Sequence, residues 1–197
     1  SETLAAAMVI LSRYRGRDDF CDPFCGSGTI PIEAALIAKN RAPGLGRSFA
    51  AEEWSCISRK VWRDAREEAP TREYNGDYRI FASDIDPDAV EIAKKNAARA
   101  GVEDIIHFET ADATKFSRQT ERGVIVTNPP YGERIMEKHE AEELYSSFGK
   151  AFFASEKWNL YLLSSHTEFE RTFGKTADKK RKLYNGMIKC DLYMYLK

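Results

Sequence analysis

Asn128-Pro129-Pro130-Tyr131 stands between an apolar run, Val124–Thr127, and Gly132, and these residue types point to one kind of chemistry. An amine conjugated to an aromatic ring is a poor nucleophile because its lone pair is delocalised. Two acceptors on its N–H groups favour a pyramidal nitrogen whose lone pair faces an electrophile. The Asn128 side-chain oxygen and the Pro129 carbonyl are candidates for those acceptors, and proline restricts the backbone that aims the carbonyl. Tyr131 offers a ring for stacking on a base that has left its helix or loop. No strong general base is needed, since the nitrogen turns acidic only after alkylation. The plainer reading of Pro129-Pro130 is a rigid exit from a buried strand. Glu133 and Arg134 follow and border this loop without an assigned role.

Three other strand ends carry polar residues suited to a single ligand. The first strand closes with Asp22-Pro23-Phe24-Cys25-Gly26-Ser27-Gly28-Thr29, whose two glycines let backbone approach a ligand and aim N–H groups at it. The segment matches neither a phosphate loop nor GxGxxG, and a lone GxG is more often an ordinary tight turn. An acid just ahead of the glycines repels phosphate and suits a cationic ammonium group. The second strand closes with Ser83-Asp84-Ile85-Asp86-Pro87. A carboxylate there can accept from both hydroxyls of a ribose; Asp84 is the first choice and Asp86 the alternative. Asp86 or Asp88 also suits the N-cap of the next helix. After the third strand, Asp112 of Ala111-Asp112-Ala113 can accept from an adenine amino group or serve as a turn aspartate. Each signal is weak by itself. Together, in order, they outline an adenosine carrying a positively charged amino-acid tail.

The elements that must position these residues alternate between strand and helix. Helices are expected over Thr3–Tyr14, Thr29–Asn40, Ser55–Glu68, Asp88–Ala100 (stopped by Gly101) and Ala141–Ser155. Strands are expected over Asp19–Asp22, Tyr78–Ser83, Ile105–Thr110, Val124–Thr127 and Leu160–Ser164. A hairpin of Lys180–Tyr184 and Met187–Leu196 turns on Asn185-Gly186. The expected fold is a doubly wound α/β domain over residues 1–197. Its sheet is seven-stranded and mostly parallel, with right-handed crossovers and an antiparallel C-terminal hairpin. Ligands of such sheets sit outside the carboxyl ends of the strands, where the chain order reverses.

Composition narrows the classes. Thirty Lys plus Arg against 31 Asp plus Glu leave a net charge of −1, so tight nucleic-acid binding is expected to come from outside this chain. Cys21, Cys25, Cys56 and Cys190 form no CxxC pair and read as small buried hydrophobes in a reducing cytosol. The three histidines show no metal-ligand spacing, and no metal is expected. No apolar run approaches a membrane span, and the start on Ser1 reads as a fragment of something longer. Lys179–Lys182 and Arg13, Arg15 and Arg17 can reach phosphates, although solvated surface charge is the commoner role. Trp54, Trp62 and Trp158 are expected to pack in the core.

DPFCGSGT, SDID, ADA and NPPYG in this order resemble the class I methyltransferases that act on amino groups. NPPY alone is shared with adenine-specific DNA enzymes and glutamine-modifying protein enzymes. ETLAAAMV, GTIPIEAALIA, APGL, FAAEEW and KKRKLYNGMIKCDLY bring the chain closer to the bacterial 23S rRNA guanine-N2 methyltransferases. Full-length members of that family carry an N-terminal ferredoxin-like and THUMP RNA-binding region. The resemblance implies a Rossmann-like, cytoplasmic enzyme using S-adenosylmethionine on RNA, with tRNA guanine-N2 and DNA adenine-N6 enzymes as the nearest alternatives. It implies that Asp22, Gly26 and Gly28 line the methionine part, Asp84 the ribose and Asp112 the adenine. Phe24, Ser27, Thr29, Ile85, Ala113 and Asn128 would complete the cofactor's surroundings, and Asn128, Pro129, Pro130 and Tyr131 would meet the target base. A catalytically silent scaffold is the alternative of a different class, and carboxylates at each strand end speak against it.

Overall fold

The computed structural model describes residues 1–118, 120–132, 135–155 and 157–197, without side chains at 135 and 136. Glu133 and Arg134, expected to border the loop, lie outside the described residues. The strands are β1 (Asp19–Asp22), β2 (Ile80–Asp84), β3 (Ile106–Thr110), β4 (Gly123–Thr127), β5 (Trp158–Ser164), β6 (Lys179–Asn185) and β7 (Ile188–Tyr195). They form one seven-stranded sheet in the order β3-β2-β1-β4-β5-β7-β6. Neighbours among β1 to β5 pair in parallel, while β7 runs antiparallel to both β5 and β6. The helices are α1 (Glu2–Leu11), α2 (Thr29–Lys39), α3 (Arg59–Glu68), α4 (Pro87–Ala100), α5 (Ile135–Phe153) and α6 (Phe169–Phe173). This is the expected doubly wound architecture.

Every residue of β1 and β4 is buried, as parallel strands covered on both faces require. Alternate side chains feed two cores. Phe20, Val124, Val126, Tyr161 and Leu163 join Met8, Val9, Ala34, Ala35, Ala93 and Ala97 from α1, α2 and α4. Cys21, Ile125, Leu160 and Leu162 face Tyr145, Phe148 and Phe152 of α5, with Phe169 and Phe173 of α6. The chain order reverses between β1 and β4, which makes that pair the switch point.

Several boundaries differ from the sequence reading for local reasons. The Asp86 side chain accepts from Asp88 N–H at 2.9 Å and caps α4, so β2 runs on to Asp84. Arg13 adopts a left-handed φ of 60°, and α1 stops at Leu11 rather than reaching Tyr14. α5 begins at Ile135 instead of Ala141, and the one-turn α6 has no counterpart in the expectation. Trp158 is fully buried as expected, but Trp54 is 59% exposed and Trp62 is half-buried, stacked on Phe49 at 6.0 Å. Cys56 is exposed as well. All three departures lie in residues 41–75, an excursion whose helix α3 buries no residue. No helix among the described residues is long and apolar enough to cross a membrane.

Candidate active site

Because β1 and β4 are adjacent and parallel, Asp22 and the chain leaving Thr127 emerge side by side. Thr127 Oγ1 donates to Asp22 Oδ1 at 2.6 Å, and Phe24 N–H donates to the same oxygen at 3.1 Å. Asp22 is 1% exposed, and its second oxygen, Oδ2, is buried without a partner. Burial pushes its pKa up to about 7; the Thr127 and Phe24 bonds pull it down, and the Asp84 charge adds to the rise.

Gly26 and Gly28 do not use their N–H groups as the sequence implied. Gly26 N–H donates to Asp84 Oδ2 at 2.9 Å, and Gly28 N–H to the Cys25 carbonyl at 2.8 Å. Carboxylate and carbonyl acceptors inside the fold have taken the place assigned to a ligand. Space beside Gly26 is open, since a Cβ there would meet nothing within 4 Å. Gly28, at φ +83°, instead serves packing: a Cβ would stand 2.9 Å from Ala93 Cβ and 3.2 Å from its Cα. Its smallness lets the start of α2 lie against α4.

Asp84 closes β2 with Oδ1 accepting from Asp86 N–H at 3.0 Å, and the adjacent Ile85 is 70% exposed. One strand further out, Asp112 Oδ1 accepts from Thr114 N–H at 2.9 Å and Thr114 Oγ1 at 2.7 Å. Those bonds hold the Asp112 carboxyl below its usual range, and Ala113 beside it is buried. The β3 end is tied in by Ala111 N–H donating to the Asp84 carbonyl at 2.9 Å. Phe24 sends its ring into the second core, edge-on to Phe148 at 5.3 Å. Ser27 is exposed and its carbonyl accepts from Asn96 Nδ2 at 2.9 Å, while Thr29 opens α2. Thr127–Asp22 and Gly26–Asp84 thus form two hydrogen-bonded pairs at the ends of neighbouring strands. Asp112 adjoins the second pair through Ala111.

The loop after β4 is fastened from both faces of the sheet. Pro129 is buried and Pro130 exposed. The Tyr145 hydroxyl of α5 donates to the Pro130 carbonyl at 2.5 Å and lies 3.1 Å from Ser164 Oγ. Burial raises the Tyr145 pKa to about 12, so it stays a donor at neutral pH. Gly132 has φ +69°, and a Cβ there would stand 2.6 Å from the Glu137 carbonyl oxygen. On the opposite side Asn185 Nδ2 donates to the Tyr131 hydroxyl at 3.2 Å. Burial raises the Tyr131 pKa, while hydrogen bonds with the Asn185 and Asn128 amides lower it. Asn128 Oδ1 remains buried with no partner.

Sequence reasoning missed Thr127, Tyr145 and Asn185 as supports. Tyr145 offers no motif signal, because its partner is fifteen positions away on another element. Asn185 reads in sequence as the first residue of a turn. In the fold Asn185 pairs with Ile188, so the turn is Gly186-Met187 and Asn185 is free to face the loop. Tyr145→Phe is expected to lower stability by about 1 kcal/mol and to slow turnover more than it weakens cofactor binding. Thermal melts with single-turnover rates check this; an unchanged rate would show that the Pro130 carbonyl needs no tether.

A cleft of about 780 Å³ adjoins the glycine turn at Ser27 and Thr29 and is lined further by Glu33, Arg41, Arg47 and Asn96 among others. None of Asp22, Asp84, Asp112 or Asn128 lines it. Arg41 is engaged by Glu73 at 2.8 Å and Arg47 by Glu2 at 3.7 Å.

The switch-point edge suits S-adenosylmethionine. Asp22 Oδ2 is an orphaned acceptor for an ammonium group, the space beside Gly26 is open, and Ile85 presents exposed apolar surface next to Asp84. Together with the Asn-Pro-Pro-Tyr exit, the sheet and site define a class I S-adenosylmethionine-dependent methyltransferase domain. The chain belongs to the RMKL-like methyltransferase domain family (UPF0020), whose model matches residues 1–194. It is 49% identical over 195 residues to YpsC of Bacillus subtilis (strain 168), a protein named for an inferred RNA methyltransferase activity. That match covers 98% of this chain and 51% of YpsC. It is 40% identical over 203 residues to the ribosomal RNA large subunit methyltransferase K/L of Shewanella baltica (strain OS185), covering 98% of this chain and 28% of that protein. The structure of SMU.472 complexed with S-adenosylhomocysteine superimposes with a TM-score of 0.95 at 41% identity, over 99% of this chain and 52% of the other. The chain spans about half the length of YpsC.

Proposed function

We propose that this domain methylates the exocyclic N2 amine of a guanine in RNA, with large-subunit ribosomal RNA as the substrate. The observation that carries the amine chemistry is Asn128 Oδ1, a buried acceptor with no partner on the residue that follows β4, one of the two switch-point strands. A buried acceptor left open costs free energy unless a ligand donor completes it. An amine N–H does so. The Pro129 carbonyl takes the second N–H, and Tyr145 keeps the Pro130 carbonyl turned away from it. Both acceptors polarise the amine and orient its lone pair. Tyr131, held at its hydroxyl by Asn185, gives the base a ring to lie against.

S-adenosylmethionine, when bound, supplies an electrophilic methyl group on a sulfonium. Asp22 would hold its ammonium, the open space beside Gly26 would take its methionine part with Ser27 and Thr29 nearby and Gly28 keeping the turn close-packed, Asp84 would hold its ribose, and Ile85, Asp112 and Ala113 would border its adenine. Phe24 acts through packing. The RNA substrate is supported by the name of the K/L relative, and guanine N2 by the combination of NPPY with the APGL, FAAEEW and KLYNG segments. Transfer of labelled methyl from S-adenosylmethionine to undermodified rRNA, followed by nucleoside analysis, is expected to yield N2-methylguanosine. Label found only in DNA N6-methyladenine, or only in protein glutamine, would overturn the reading.

A further inference from the structure

The β6–β7 hairpin reaches past the sheet on the side where the active site lies. Asp191 of β7 pairs with Ser164, the last residue of β5, so Ile188 lies three residues beyond that end. At about 3.4 Å per residue the tip overhangs the carboxyl edge by roughly 10 Å. Leu183 packs on the core, but two large side chains near the tip do not. Met187 is 99% exposed and Tyr184 61% exposed. Lys189 pairs across the ladder with Tyr184, and Lys182 follows two residues back on the same face. Lys182 and Lys189 are both exposed. From Lys179 to Lys189 the sequence has five cations and no acid, in a chain whose net charge is −1; Lys180 is paired with Glu170 at 2.7 Å, and Asp191 stands opposite Lys182 in the ladder. Asn185 holds the Tyr131 hydroxyl from the other face of the same strand, so the tip is strutted to the active-site loop while Tyr184, Lys182 and Lys189 face away from that contact.

We propose that this hairpin tip is a wall of the active site that grips the single-stranded nucleotides flanking the target base. Tyr184 and Met187 lie against neighbouring bases, and Lys182 and Lys189 meet their phosphates. Exposed aromatic and apolar groups interleaved with cations are what an unpaired strand requires, since bases stack on rings while the backbone seeks positive charge. The proposal rests on the RNA reading above and adds the place of contact.

Two double variants separate the contributions: Tyr184→Ser with Met187→Ser, and Lys182→Gln with Lys189→Gln. Binding of a labelled single-stranded oligoribonucleotide is followed by anisotropy at several salt concentrations, with S-adenosylhomocysteine calorimetry and thermal melts as controls. The apolar pair is expected to weaken RNA binding about tenfold or more. The charge pair is expected to lower the salt slope by about 1.4, from roughly 0.7 per phosphate contact on a single strand. Cofactor affinity and melting temperature stay unchanged in both. Should the apolar pair fold poorly, the salt slope of the charge pair decides. RNA binding by both variants equal to that of the unaltered chain would overturn the hairpin proposal and leave the RNA reading standing. Binding of a peptide partner in place of RNA, with no methyl transfer to RNA, would remove both.

Discussion

Replacing Asn128 with alanine is expected to lower kcat by roughly a hundredfold to a thousandfold, while S-adenosylhomocysteine binds with nearly unaltered affinity. The expectation follows from the state of Oδ1: it is buried and accepts no bond within the fold, on the residue that follows Thr127, the hydrogen-bond donor to Asp22. An acceptor kept dry and open works on charge that develops as the amine becomes an ammonium, and contributes less to ground-state binding. The stability effect has the opposite sign. Alanine removes a desolvated, unpartnered oxygen, so the melting temperature should hold or rise, as is common where function and stability conflict. Single-turnover rates with labelled cofactor, calorimetry and melts test all three. A collapse of cofactor affinity in Asn128→Ala would place the residue against the cofactor instead of the substrate.

The second large effect concerns Asp22. Its carboxyl has a pKa of about 7 in the fold, raised chiefly by burial. A folded-state pKa above the unfolded value means that the native state binds more protons between about pH 4 and 7. Stability from this group is therefore full at the acid end of that window and is lost as pH rises through 7. Asp22→Asn is expected to remove this loss, giving a melting temperature that no longer falls between about pH 4 and 7 on this account. The amide introduced by that substitution retains an oxygen for the Thr127 and Phe24 donors but has no charge. Affinity for S-adenosylhomocysteine should drop roughly thirtyfold or more at pH 8, the usual scale for losing one partner of a buried charge pair. In the unaltered chain, cofactor binding near pH 6.5 should release a proton, visible as a buffer-dependent enthalpy. No proton release and an unchanged affinity in the variant would mean that Asp22 only props up Thr127.

Much of this site was legible before the fold because its residues close strands, and apolar runs mark where strands end. Val124–Thr127 located Asn128, and the β2 run placed Asp84 close to its end, with Gly101 marking where α4 stops. What escaped was long-range pairing. The Gly26 N–H turned to Asp84, 58 positions away, and Gly28 proved to be shaped around Ala93 of α4. No local pattern carries either fact. Asn185-Gly186 reads as a turn on composition alone, yet pairing between Asn185 and Ile188 moved the turn one residue on. Trp54 was misjudged because hydrophobicity does not reveal that residues 41–75 pack outside the sheet's two cores.

β6 also bears on how these molecules behave in company. It is the outermost strand of the sheet, so one row of its backbone N–H and C=O groups has no neighbouring strand. Such a row is a template for another chain to add on, edge to edge. Lys179, Lys180, Arg181 and Lys182 line its first half in succession, and a second copy approaching in register would bring like charges together. Neutralising these four residues should therefore leave the fold intact and make concentrated solutions prone to self-association.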